Sequence, residues 1–456
     1  MTEPSPRSGG SAAGVVRYVA DAVVPCDGSV PVLRPGVVVV DGDTIVHVGS
    51  SDSGEDSPRT GAADRVVEVR GALLPGLVNS HCHSPMTLFR GSGENLPLDR
   101  WLREVLWPQE AHLTEDDVFW GMSLASAELL CFGVTTTCEA YFHEDALADA
   151  VVAAGSRAVV TPGLLQLPGH PTGDGWWADR IDQIRAFHAR RSGDHDRIDV
   201  GFAPHAPYTV PLDVLADIAM AARELDALFH IHLAETEAEG VRFVAEHGRS
   251  APAVLEEHGV FGGRVLAAHS IWLSEEDLDI YQRHDVAVAH CPQSNAKLAS
   301  GMAPLVELLA RGIRVGLGTD GPASNNDLDL WEEIRLAAMF ARLRQQDAAA
   351  LPAADALNLA TRGSGTAIGR PDLGVLAAGA KADMIAVDLD TPAFVPLLED
   401  AQMIEHLVWS ASSRVVTDVW VAGTQVVEQG QCLTVDVERA RHEVEARARR
   451  LQQAAT

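Results

Sequence analysis

The residues of this chain that could carry chemistry are histidines and carboxylates that follow short apolar runs. The segment Asn79-Ser80-His81-Cys82-His83-Ser84 places two histidines two positions apart. On an extended backbone such residues point the same way, so His81 and His83 offer a pair of imidazole nitrogens to zinc or iron. The run Phe229-His230-Ile231-His232-Leu233 repeats the spacing and is followed by Glu235. His269 closes the run Ala267-Ala268-His269, and Asp320 sits in Gly318-Thr319-Asp320-Gly321. Singly, each has an ordinary explanation: a polar strand end, a hydrogen-bonded rim histidine, an aspartate in an Asx-turn. Jointly, at the ends of runs that share one architecture, they predict a metal site.

That architecture is read from an alternation of β-patterned runs with helical segments. Eight runs span 72–78, 134–141, 157–165, 198–203, 228–233, 264–269, 286–290 and 313–319. Their shortness and β-branched content mark strands, and amphipathic helices lie between most of them. One helix is expected to start at Thr114, with Asp117 completing a capping box, and to stop at Gly133. Eight β/α units predict an α/β fold closed as a (β/α)8 TIM barrel, whose chemistry sits where the strands end. His81 and His83 then belong to strand 1, His230 and His232 to strand 5, His269 to strand 6 and Asp320 to strand 8.

The flanks read differently. Residues 1–14 are polar and Gly/Ser-rich, without the pattern of a signal peptide, and are expected to be disordered. Residues 15–70 hold β runs with a hairpin signal at Asp41-Gly42-Asp43, then a loop over 51–62. After helical stretches at 327–345 and 353–362 the β pattern returns and ends in a helix over 437–453. The expectation is a small β-sandwich made from 15–70 and 369–456, with the metal-dependent barrel, 71–368, inserted between its halves.

Bulk properties narrow the function classes. The chain has 456 residues, 46% of them apolar, and a formal net charge of -29. Such an acidic surface disfavours nucleic acid as a partner. No apolar run reaches membrane-spanning length. The six cysteines show no C-x-x-C pair, which suits reduced thiols in a cytoplasmic protein. A homo-oligomer acting on a small molecule is expected, with neither nucleic acid nor membrane as partner.

The stretches PGLVNSHCHSPMTLFRG, HLAET, AHS, HCPQSNAKLASG and GLGTDGPASNNDLDLWEE resemble the amidohydrolase superfamily. Within it they are most similar to methylthioadenosine/S-adenosylhomocysteine deaminases and the related triazine chlorohydrolases. The resemblance spans nearly the whole chain. It implies one divalent metal, zinc or alternatively iron, on His81, His83, His232 and Asp320. It leaves His230 as a packed or supporting histidine, sets His269 against the attacking solvent, and makes Glu235 the proton shuttle. Chemistry agrees with the last role: attack on an aromatic C–N carbon requires the ring nitrogen to be protonated, and a non-ligand Glu does this in zinc deaminases of single bases.

The resemblance further implies substrate contacts from His205 and a ribose-binding carboxylate at Glu110. His205 could equally be a rim histidine, and Glu110 an exposed charge ahead of the Thr114 helix. Trp101 and Trp107 flank the same segment, as pocket wall or as core. Cys291 is not expected to be a nucleophile, and His143, His170 and His284 read as surface residues. Two departures matter. The only lysines, Lys297 and Lys381, are far from strand 4, where binuclear relatives carry a carbamylated lysine, so a mononuclear site is expected. No arginine occupies the end of strand 3, where the family contacts the distal substituent; the segment 166–178 differs instead and holds Trp176 and Trp177.

The implied activity is hydrolytic removal of an exocyclic amine from an adenine-type nucleoside or related aminated heterocycle. The alternatives are a hydrolase of triazine-like or other aminopurine or pterin rings, and a non-catalytic metal-binding protein on the same scaffold.

Overall fold

The computed structural model describes residues 14–28, 32–50, 63–167, 173 and 175–455. The expected disordered start over 1–13, the loop over 51–62 and His170 lie outside the described residues. The chain begins with β1 (Val15–Val23), β2 (Gly36–Asp41), β3 (Thr44–Ser50) and β4 (Arg65–Pro75). Strands β2 and β3 form the expected hairpin, and Gly42 turns it at a positive φ of 63°.

Nine further strands follow: β5 (Leu77–Cys82), β6 (Val134–Tyr141), β7 (Arg157–Leu164), β8 (Ile198–Val200), β9 (Ala203–Pro204), β10 (Phe229–Leu233), β11 (Val265–His269), β12 (Ala287–His290) and β13 (Val315–Leu317). Their pairings are parallel among the described residues, in the orders β5-β6-β7-β8 and β10-β11-β12-β13, with β9 on β7. Single bridges join the two arcs at Phe202–Phe229 and at Cys82–Asp320, which closes the barrel. Both β6 and β11 are buried at every position; β11 is apolar up to His269, whereas β6 also buries Thr135, Thr136, Thr137 and Glu139.

The chain returns to the first sheet with β14 (Met384–Val387), β15 (Val416–Val421), β16 (Thr424–Glu428) and β17 (Gln431–Cys432). The terminal segments thus make one eight-stranded sheet in the order β17-β16-β15-β14-β4-β1-β2-β3. Strands β1 and β15 are three spacings apart, about 14 Å in a flat sheet. The rings of Tyr18 and Trp420 on those strands nonetheless meet edge-on with centroids 5.4 Å apart. The sheet therefore folds over itself around a core that includes Val38, Ile45, Leu73 and Met384, as a sandwich does.

The junction of sheet and barrel differs from the sequence reading. The apolar run 72–78 was expected to be one barrel strand. Ala72–Pro75 instead finish β4, paired with both β1 and β14, and the barrel starts at Leu77. Gly76 divides them: a side chain there would collide with Thr135, whose Oγ1 lies 2.2 Å from the place of a Cβ. A continuous apolar run carries no mark of that division. Buried Arg157 joins barrel to sheet through Asp383, at 2.7 and 3.1 Å.

Helices complete the layers. The helix Glu115–Cys131 has the expected Thr114/Asp117 capping box. The final helix, Val437–Ala454, docks on it through Arg447 and Arg450, both of which reach Asp117. Residues 98–110 are helical rather than loop: Leu98–Trp101, a π-helical turn Leu102–Leu106, and Trp107–Glu110 follow one another directly. No described helix is long and apolar enough to cross a membrane.

Candidate active site

The barrel strands deliver their polar residues to one end, where a cavity opens. Three imidazoles meet there with their outer nitrogens engaged. His83 donates from Nδ1 to the Ala140 carbonyl at 2.5 Å, and His232 from Nδ1 to the His205 carbonyl at 2.8 Å. A carbonyl only accepts, so in each neutral ring the lone pair is on Nε2. Burial and the neighbouring imidazoles hold His232 well below the usual histidine range, in the neutral form.

A chain of hydrogen bonds sets the polarity of His81. Thr161 donates its hydroxyl to the Glu139 carbonyl at 2.8 Å, so it accepts from His230 Nδ1 at 3.1 Å. His230 Nε2 then accepts from His81 Nδ1 at 2.8 Å. His81 is left with a lone pair on Nε2, a fully buried atom without a hydrogen-bond partner. The sequence reading of His230 as a supporting histidine agrees with this geometry.

These nitrogens converge on Asp320. Its Oδ1 is 3.4 Å from His81 Nε2 and 3.2 Å from His83 Nε2, while His83 Nε2 and His232 Nε2 are 3.2 Å apart. The second oxygen, Oδ2, accepts from Ser294 at 2.6 Å and Ser324 at 2.8 Å, so only Oδ1 is free to face the imidazoles. Burial opposes ionisation of Asp320, but His81 and His83 outweigh it and hold the carboxyl well below its usual range. Burial opposes a charge on His83, but Asp320 in turn raises that ring. These nitrogens and the carboxylate oxygen therefore repel unless positive charge, a proton on His83 or a metal cation, lies among them. The orphaned Nε2 of His81 and this donor set fit a divalent metal such as zinc or iron.

A fifth residue belongs to the cluster. The ligand-type atoms of His81, His232, His269 and Asp320 all lie within 4.8 Å of one another, so His269 is as central as His83. Its Nδ1 meets the Asn295 amide oxygen at 2.9 Å, and its Nε2 faces Glu235 at 3.9 Å. Ala234, His269, Ser270 and Asp320 all have positive φ, between 48° and 68°. Non-glycine residues seldom adopt that conformation, and the strain falls where these strands end at the site.

Two buried carboxyls line the same cavity. Burial pushes Glu235 up to about 7, against the opposing pull of His269. Glu110 is also pushed up to about 7 by burial, and accepts from the Tyr141 hydroxyl at 2.9 Å. It is not the exposed charge that one reading allowed. His205 and Trp107 line the cavity with ring centroids 6.1 Å apart, and Trp101 lines it too. Burial lowers His205 to about 3, so the ring is neutral.

The structure therefore brings every expected site residue to this cavity or its edge. Sequence reasoning missed Tyr141, Ser324 and the pairing of Asn295 with His269. Trp176 is on an adjoining depression rather than in the cavity, with Trp177 edge-on to it at 4.7 Å. No lysine lines the cavity among the described residues; Lys297 pairs with Glu94 and Lys381 with Asp43. Cys291 is buried, and burial raises its thiol well above the usual range. His284 is not a free surface residue, because it bonds Glu256 at 2.8 Å.

Known proteins resemble this chain in sequence and fold. The family described as the Amidohydrolase family matches residues 72–426. A 5-methylthioadenosine/S-adenosylhomocysteine deaminase of Desulfitobacterium hafniense (strain Y51) is 39% identical over 432 residues, covering 94% of this chain and 97% of the relative. An adenosine deaminase from Xanthomonas campestris, solved with bound zinc, superposes with a TM-score of 0.89 at 35% identity, over 96% of this chain and 98% of that one. An atrazine chlorohydrolase from Arthrobacter aurescens TC1, complexed with zinc, has a TM-score of 0.85 at 25% identity, over 95% and 100% of the two chains. The chain belongs to the amidohydrolase family and is a metal-dependent hydrolase of C–N bonds.

Proposed function

We propose that this chain is a hydrolytic deaminase that removes the exocyclic amine of an adenine-type nucleoside and releases ammonia. One divalent metal, zinc in preference to iron, would be held by His81, His83, His232 and Asp320. The observation that carries this reading is a non-ligand carboxyl, Glu235, which faces His269 Nε2 at 3.9 Å beside a converged set of imidazoles and one carboxylate, with burial pushing it up to about 7.

When bound, the metal supplies activation of solvent near neutral pH. The side chains do the rest. His269, oriented by Asn295, turns Nε2 to the attacking water. Glu235 gives its proton to the ring nitrogen as water adds to the amine-bearing carbon, and a proton then passes by way of Glu235 to the departing amine. Asp320 Oδ1 would accept the proton that the attacking water gives up, since Oδ2 is saturated by two hydroxyls.

Glu110 accepts the two hydroxyl protons of a ribose diol, with Tyr141 fixing its other face. Trp107 and His205 wall the base. A triazine would leave Glu110 without a diol, which favours the nucleoside. Both the deaminase of Desulfitobacterium hafniense and the zinc-bound structure from Xanthomonas campestris act on nucleosides by name.

The test is ammonia release from adenosine, 5′-methylthioadenosine, S-adenosylhomocysteine, guanine and aminotriazines by metal-loaded protein. Turnover of at least one adenine nucleoside in preference to guanine and the triazines is expected. Turnover of a triazine with no activity on any purine would overturn the proposal.

A further inference from the structure

The cavity is one-sided in its chemistry. Its acidic lining residues are Glu110, Glu235 and Asp320, and none of its described lining residues is a lysine or arginine. With the histidines and carboxyls committed to reaction and ribose, the wall left for the rest of the substrate is apolar. It is made by Leu98, Trp101, Leu102, Phe142, Leu165 and Leu298. The segment 166–175, which follows β7, contains neither lysine nor arginine.

Guanidinium groups do approach this wall, but none is among its described lining residues: Arg242, near Tyr208, donates to the Ala238 carbonyl at 3.3 Å, and Arg103 and Arg180 pair with carboxylates. Arg103 stands 5.5 Å over the Trp107 ring but is an exposed residue paired with Asp99 at 2.9 Å. Arg180 sits behind Gly163, a lining residue, yet its two terminal nitrogens grip Glu144 at 2.8 and 2.9 Å. Its reach to the Gly163 carbonyl is a long 3.4 Å.

Resting on the nucleoside reading above, we propose that the site selects adenine nucleosides whose 5′ substituent is uncharged and apolar, such as a methyl or methylthio group. Nucleosides with a zwitterionic amino-acid tail are discriminated against. The Glu144–Arg180 pair is the device that withholds a guanidinium from the cavity. A buried carboxylate and ammonium need charged partners, and the described apolar residues of this wall offer none. An apolar group gains from the same wall by leaving water.

The experiment compares kcat/KM of metal-loaded wild-type protein on 5′-deoxyadenosine, 5′-methylthioadenosine and S-adenosylhomocysteine. The last is expected to fall below the methylthio compound by at least about 100-fold, since unpaired buried polar groups discriminate strongly. A smaller ratio overturns the inference while leaving the deaminase reading intact. Turnover of none of the three removes the deaminase reading and this inference with it. In Glu144→Gln, checked for an unchanged melting profile, Arg180 loses its charged partner. The ratio of S-adenosylhomocysteine to methylthioadenosine turnover is then expected to rise by about 10-fold. An unchanged ratio in the folded variant overturns the role given to the pair.

Discussion

His230 Nε2 lies 2.8 Å from His81 Nδ1 and so decides which nitrogen of His81 looks into the cavity. Replacing His230 by Phe keeps the ring volume and removes the acceptor. His81 would then be free to carry its proton on Nε2, the wrong nitrogen for a metal. Partners of this kind are worth about 10- to 100-fold in metal affinity. His230→Phe is expected to lose that much in a chelator competition and to recover turnover as metal is added in excess. Wild-type affinity in the variant would show that the contact is only packing.

Glu235 is argued to move protons without holding the metal, and the two roles separate experimentally. Glu235→Gln keeps size and hydrogen bonding but cannot donate a proton. Its turnover is expected to drop by about 10²- to 10⁴-fold, the usual weight of general acid–base catalysis. Its metal content, measured by elemental analysis, should match the wild type. Loss of metal along with activity would make Glu235 a ligand instead.

The barrel and its cluster were legible because each residue lies at or near the end of its own strand: His81 is next to last in β5, His232 next to last in β10, His269 ends β11, and Asp320 follows β13 closely. What spacing could not show is contact between distant strands. Tyr141 meets Glu110 across 31 residues, and Asn295 meets His269 across 26, with no local pattern in either pair. The helical stretch over 98–110 was missed for another reason. It starts at Pro97 without a side-chain cap, passes through a π-helical turn and contains Pro108, so the usual signals of a helix are absent. The sheet–barrel boundary at Gly76 was hidden because residues on both sides are equally apolar.

Metal removal tests the cluster as a whole. Without a metal cation, the nitrogens of His81, His83 and His232 crowd one another beside the Asp320 carboxylate, and only a proton drawn to His83 relieves the repulsion. Dialysis against a strong chelator is expected to abolish turnover and lower the melting temperature. Readdition of zinc at about 100 times its dissociation constant should restore activity and about 2.7 kcal/mol of stability. Full activity in demetallated protein would end the metal-dependent reading.

Glu110 gives a prediction in pH. Burial raises its carboxyl from 4.5 to about 7, so the folded protein retains a proton that the unfolded chain has already lost. For a raised group, the associated stability is fully present below the unfolded value and is lost as pH rises through the folded one. Wild-type stability should therefore fall between about pH 4.5 and 7, with Glu110 responsible for about 1–3 kcal/mol of the decline. Glu110→Gln can still accept from Tyr141 but does not titrate. Denaturant midpoints of the two proteins should converge at the acid end and separate toward neutrality, the variant being the more stable there. Parallel curves across that window would mean that Glu110 is ionised throughout.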